Sequence, residues 1–256
     1  IEVEPENDEG YYNRGTFYEN EGDLELALAD YQKAVELDPQ DSDNYFRVGF
    51  VSAELERFEV ALSSYLQYIK QFGEDHAVYH NMALIYQNDL KDYEKALEYY
   101  TKAIEIEPND PLYYESRALL FYNGLDKKEE ALSDFNKRIE LEPENDEGYY
   151  YRGLFYEEEE ELELALADYQ KAVELDPQDS DSYFRVAYVS NGLERFDIAL
   201  SSYLQYIKQF GEDNAVYNNM ALIYQNDLED YEKALEYYNK AIEIDPNETL
   251  FYTNRG

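Results

Sequence analysis

The sequence contains its own near-copy, and a chain built this way is restricted to repetitive architectures. Laid over itself at an offset of 138 residues, it matches from 5–118 onto 143–256, and LELALADYQKAVELDPQDSD at 24–43 returns unchanged at 162–181. A shorter period lies inside each copy. A small residue, an aromatic four positions later and a proline eight beyond it recur as Ala27, Tyr31, Pro39, as Ala96, Tyr100, Pro108 and as Ala131, Phe135, Pro143. The second copy repeats them as Ala165, Tyr169, Pro177 and Ala234, Tyr238, Pro246. Units of 34 or 35 residues tile the chain at 8–41, 42–75, 76–110, 111–145, 146–179, 180–213 and 214–248, with partial units at 1–7 and 249–256. A period of this size predicts one array across 1–256, in which no unit buries its apolar face alone and each is completed by its neighbours.

Each unit reads as two helices. Leu24, Leu28, Tyr31 and Val35 fall on one stripe at helical spacing. The Asp-Pro or Glu-Pro that follows stops the helix, because the residue before proline is pushed out of the helical region. Asp110-Pro111 reads as an N-cap with proline in the first turn. The fold class is therefore all-α, and no strand is expected. Small residues recur in both helices of every unit, at Gly15, Gly49, Ala83, Ala118, Gly153, Ala187 and Ala221 in the first and Ala27 to Ala234 in the second. Close approach of two helices needs such sites. Units two and six depart together: Ser52 and Ser190 replace an aromatic, Tyr68 and Tyr206 a small residue, and Gly73 and Gly211 the proline. The expectation is that Tyr68 fills volume left by Ser52, that Gly73 caps its helix, and that the junctions after these units turn differently. Arg14, Arg117 and Arg152 occur only in units carrying Asp30, Asp134 and Asp168, which predicts an ion pair between the two helices of each such unit.

This spacing resembles the tetratricopeptide repeat, with tyrosine in place of the usual tryptophan, and the resemblance covers nearly the whole chain. It implies a right-handed superhelical solenoid of stacked antiparallel helix pairs whose first helices line a concave groove that binds protein or peptide. Resemblance and helical phase together give the candidate groove residues. They are Tyr12, Phe46, Arg47, Phe50, His80, Leu84, Leu119 and Tyr122 in the first copy, and Tyr150, Tyr151, Leu154, Phe184, Arg185, Tyr188, Asn218 and Leu222 in the second. Arg47 and Arg185 are expected to meet a ligand carboxylate. The carboxylate clamp of one repeat subclass is not expected, because its positions here are Tyr12, Thr16, Arg47, Ala77 and Asn81, with no lysine.

Charge narrows the partners. With 21 basic and 59 acidic residues the net charge is −38, a field that repels nucleic acid and anionic membranes and attracts basic segments. No apolar run approaches a membrane span. The chain opens without methionine on residues that read like the tail of an earlier helix, as in an excised fragment; 1–5 and 249–256 are expected to cover the ends of the array.

Catalytic chemistry finds little support. Cysteine is absent, and the two histidines, His76 and His80, stand one helical turn apart without the glutamate a metalloprotease helix carries next to the first. The five acids at 157–161 lack the interspersed glycine of a calcium loop and read as a solvated edge. Asn247-Glu248-Thr249 is a glycosylation sequon, meaningful only in a secreted protein. No cofactor, metal site or catalytic residue is assigned, and no compartment. The expected function is a non-enzymatic scaffold binding a basic or amphipathic segment in the groove, as a monomer or with weak self-association. A module that assembles through its ends or edges is the alternative, and a metal-assisted hydrolase the third reading.

Overall fold

A computed structural model describes residues 4–255, and among them every regular element is helical. Its contacts divide into two compact units, 1–134 and 135–256. In the first lie α1 (Asp8–Asn20), α2 (Leu24–Leu37), α3 (Ser42–Glu54), α4 (Phe58–Phe72), α5 (His76–Asn88), α6 (Tyr93–Ile106) and α7 (Pro111–Asn123). Helix α8 (Lys128–Leu141) contains the division. The second holds α9 (Asp146–Glu158), α10 (Leu162–Leu175), α11 (Ser180–Gly192), α12 (Phe196–Phe210), α13 (Asn214–Leu222), α14 (Tyr231–Ile244) and α15 (Thr249–Arg255). A single π-helical turn, Ile223–Asp227, extends α13. No described helix is long and apolar enough to cross a membrane.

The helix starts follow from caps. Asn7, Asp41, Asp75, Asp110, Asn145, Asp179 and Asp213 each accept a backbone N–H of the first turn of α1, α3, α5, α7, α9, α11 and α13. This satisfies donors that would otherwise lack partners. The turn inside each pair needs one residue in the left-handed region. Gly22 supplies it in the first pair, whereas Glu56, Lys91, Asp126, Glu160, Glu194 and Glu229 adopt it without glycine's freedom.

Within a pair, the aromatic of the second helix seats on the small residue of the first. Tyr31, Tyr65, Tyr100, Tyr169, Tyr203 and Tyr238 are almost completely buried. A Cβ added to Gly15 would meet the Tyr31 ring at 2.9 Å, and one on Gly153 would meet Tyr169 at 2.8 Å. The ion pairs read from the sequence are present and bidentate. Arg14 holds Asp30 at 2.6 and 2.7 Å, Arg117 holds Asp134 at 2.7 and 2.9 Å, and Arg152 holds Asp168 at 2.8 and 2.7 Å. The three aspartates are buried.

Between pairs the contacts alternate. Helix α2 packs closely on α3, and α10 on α11, but α4 touches α5 and α12 touches α13 far less, while α3 reaches α5 directly. The different junctions after repeats two and six are thus present, and Tyr68 lies at the first of them rather than filling space at Ser52. Its hydroxyl donates to Asp75, the cap of α5, at 3.3 Å, and its ring packs edge-on against Phe72, while Ser42 is a further hydrogen-bond neighbour. Ser42 and Ser52 lie at opposite ends of α3, about 15 Å apart at the helical rise. Tyr68 stands in the register that Ala34 occupies in α2. Gly73 ends α4 at φ 102° and ψ −177°, a conformation restricted to glycine, and Gly211 does the same for α12.

At the chain's end α15 packs on α14 and buries Phe251 in the core with Ala241 and Met220. Of the leading segment, Glu4 and Pro5 are exposed and 1–3 lie outside the described residues.

Candidate peptide-binding surface

The candidate aromatics rest on the buried tyrosine of their own pair. Tyr12 lies 5.5 Å from Tyr31, Phe46 6.0 Å from Tyr65, Tyr150 5.8 Å from Tyr169 and Phe184 5.8 Å from Tyr203, ring centre to ring centre. All four are half-buried, so one face of each is committed to packing and part remains accessible. Phe50, Leu84, Leu119, Tyr122, Tyr151, Leu154 and Leu222 are half-buried as well.

Phe50 and Leu84 are brought together. They share a cleft of about 360 Å³ between α3 and α5 with Tyr65, Asn81, Glu54 and Asp89. Glu54 and Asp89 come from helix ends, and no periodic signal in the sequence marks them. In the second unit, Tyr188 is 49% exposed and stands in a cleft with Leu162 and three acids, Glu157, Glu158 and Glu160. Tyr150 and Tyr151 border another with Asp146, Glu147, Asp176, Asp179 and Asp181. Burial first, and then its acidic neighbours, raise the Asp146 pKa.

Four candidates are placed otherwise than expected. His80 is buried, its ring 4.9 Å from Tyr113 and 5.6 Å from Tyr100, with Nε2 3.0 Å from the Ser116 hydroxyl. Burial lowers its pKa to about 4. Asn218, its counterpart in the second copy, is buried too and accepts from Asn254 at 3.0 Å. Both lie between successive first helices, where helical phase alone does not separate a seam from an open wall. Arg47 and Arg185 do find carboxylates, but internal ones: Arg47 donates to Glu19 at 3.1 Å and Arg185 to Glu157 at 2.9 Å. The other oxygen of Glu19 accepts from the Tyr31 hydroxyl, and that of Glu157 from Tyr169 at 2.6 Å. Burial and then these carboxylates hold both tyrosines protonated far above the ordinary range. Glu157 therefore departs from the solvated acidic edge expected for 157–161. The sequence carried a signal for this tie, since both pairs recur at a separation of 28 residues.

His76 places Nδ1 2.6 Å from the Tyr113 hydroxyl. Among the described residues no group of three or more histidine, aspartate or glutamate side chains converges as a metal site.

Comparison with known proteins agrees with this geometry. One tetratricopeptide repeat model matches residues 9–41 and 147–179, and a second such model matches 76–110 and 215–248, together more than half of the chain. A search of curated proteins by sequence gives no match. Among solved structures, the C-terminal part of a tetratricopeptide repeat-containing protein from Cytophaga hutchinsonii superposes with a TM-score of 0.79 at 16% identity, over 96% of this chain and 99% of that one. PilF of Pseudomonas aeruginosa gives a TM-score of 0.63 at 21% identity, over 90% and 97%. YrrB, described as a tetratricopeptide repeat protein with an unusual peptide-binding site, gives 0.53 at 26% identity, over 69% and 90%. Paired helices seated through tyrosine on glycine or alanine, the recurring period and these matches lead to one conclusion: the chain belongs to the tetratricopeptide repeat family.

Proposed function

We propose that this protein is a non-catalytic scaffold whose first helices bind a basic or amphipathic segment of a partner protein. The observation that carries the reading is the cleft between α3 and α5, where half-exposed Phe50 and Leu84 meet beneath Glu54 and Asp89. Apolar side chains of a ligand would enter it while lysine or arginine pairs with the acidic rim, a division common in peptide recognition. YrrB, with its peptide-binding site, supports the reading by analogy, and the net charge of −38 favours basic ligands.

A partner captured by the wild-type protein should be lost from Phe50→Ala/Leu84→Ala, and from Phe46→Ala/Tyr150→Ala/Phe184→Ala, with helicity by circular dichroism unchanged. Its affinity should also fall as salt is raised. Capture that survives these substitutions at full strength would exclude the first-helix wall.

A further inference from the structure

We propose a second docking site, independent of the first-helix wall, on the second helices of the first unit. It is the cleft of about 410 Å³ between α2 and α4, and its occupant is an aliphatic side chain of a basic, helical partner segment. The cleft lies where repeat two lacks a feature of repeat one. Val48 and Ser64 occupy the positions that Arg14 and Asp30 fill one repeat earlier. There the ion pair bridges the helices; here two small side chains stand in for it, and space remains.

The walls are suited to an apolar guest. Val35 of α2, Tyr45 and Val48 of α3 and Val60 of α4 face the space, and Val60 is 40% exposed. The buried Ser64 hydroxyl donates to the Tyr45 carbonyl at 2.8 Å and asks nothing of a ligand. Polar groups stand at the side: the Gln32 and Gln67 amides, and the exposed Glu59, which puts a carboxylate beside the apolar floor. The volume falls within the range of small-ligand sites. Glu59, on a chain of net charge −38, selects a cation next to the apolar anchor rather than a second copy of this acidic chain. At the same offset of 138 the sequence repeats the set with Val173, Tyr183, Val186, Ser202 and Asp197, and with Ile198 in place of Val60.

Because the chain has no cysteine, single labels are specific. An environment-sensitive dye would be placed at Ser63→Cys beside this cleft, or at Asn88→Cys beside Phe50 and Leu84. The probe is a synthetic helical peptide, Leu-Lys-Lys-Leu repeated four times. Expected is a saturable response at Ser63→Cys, weakened at least tenfold by Val48→Arg/Ser64→Asp, which installs the pair of repeat one and fills the space. Val60→Asp should weaken it similarly, and neither change should alter the response at Asn88→Cys. A response confined to Asn88→Cys would overturn the second site and leave the proposed function standing. No response at either position would overturn both. A Ser63→Cys response that survives the filled cleft, or that appears on adding unlabelled protein alone, would also overturn this proposal.

Discussion

Tyr65 leaves Gly49 no room for a side chain: a Cβ on Gly49 would press into the Tyr65 ring at Cε1, and that ring is fully buried. The helices of repeat two are thus held at the distance that glycine alone permits. Gly49→Ala is expected to destabilise the protein by about 1–3 kcal/mol through overpacking, despite alanine's better helix propensity. Denaturant titration would detect this, and adding Tyr65→Leu should recover part of the loss.

The Arg–Asp pairs bind their helices with both oxygens engaged, and each aspartate is nearly out of solvent while its arginine keeps some exposure. Removing the cation strands a buried carboxylate. Arg152→Ala should therefore cost about 2 kcal/mol, reduced from the fully buried case because water still reaches the site. Arg152→Ala/Asp168→Ser should cost less than the single change, since repeats two and six fill this register with uncharged valine and serine. A double-mutant cycle read by thermal denaturation checks the order.

His80 confers a pH dependence with a definite sign. Its folded pKa, about 4, is below the unfolded value near 6.5 because burial disfavours the charged ring, and only Asp110 opposes this. The unfolded chain therefore binds a proton first. Stability contributed by the neutral ring is complete above about pH 6.5 and is lost as pH falls toward 4, by about 3 kcal/mol in the limit. His80→Asn, which installs the residue of the second copy, should lose less stability than wild type between pH 7.5 and 4.5. Parallel melting curves for the two proteins would refute the assignment.

The turns inside the pairs offer a comparison at one backbone conformation. Gly22 adopts φ 82° and Glu160 φ 61° at equivalent places. Glu160→Gly should stabilise its repeat, and Gly22→Ala destabilise its own, each by up to about 1 kcal/mol. Shifts of the unfolding midpoint in opposite directions would establish this.

Much of the fold was legible because repetition supplies its own alignment. The period located the helices, the small residues marked close approach, and the matched occurrence of Arg14 with Asp30 and Arg117 with Asp134 announced ion pairs that are present. The surface was less legible. Helical phase put His80 and Asn218 on the same stripe as Phe50 and Leu84, yet the first two lie in seams and the others share an open cleft.

Sequence by itself determined the repeating helix pair, since apolar spacing, caps and prolines act over a few neighbouring residues. Tertiary structure alone decided what the departures mean: that Tyr68 reaches the cap of α5, that Glu19 and Glu157 engage the arginines expected to await a ligand, and that Val48 and Ser64 leave a cleft. The physical reason is distance along the chain. These outcomes depend on which neighbour from another helix takes up the space or the charge, and a local pattern does not specify that neighbour.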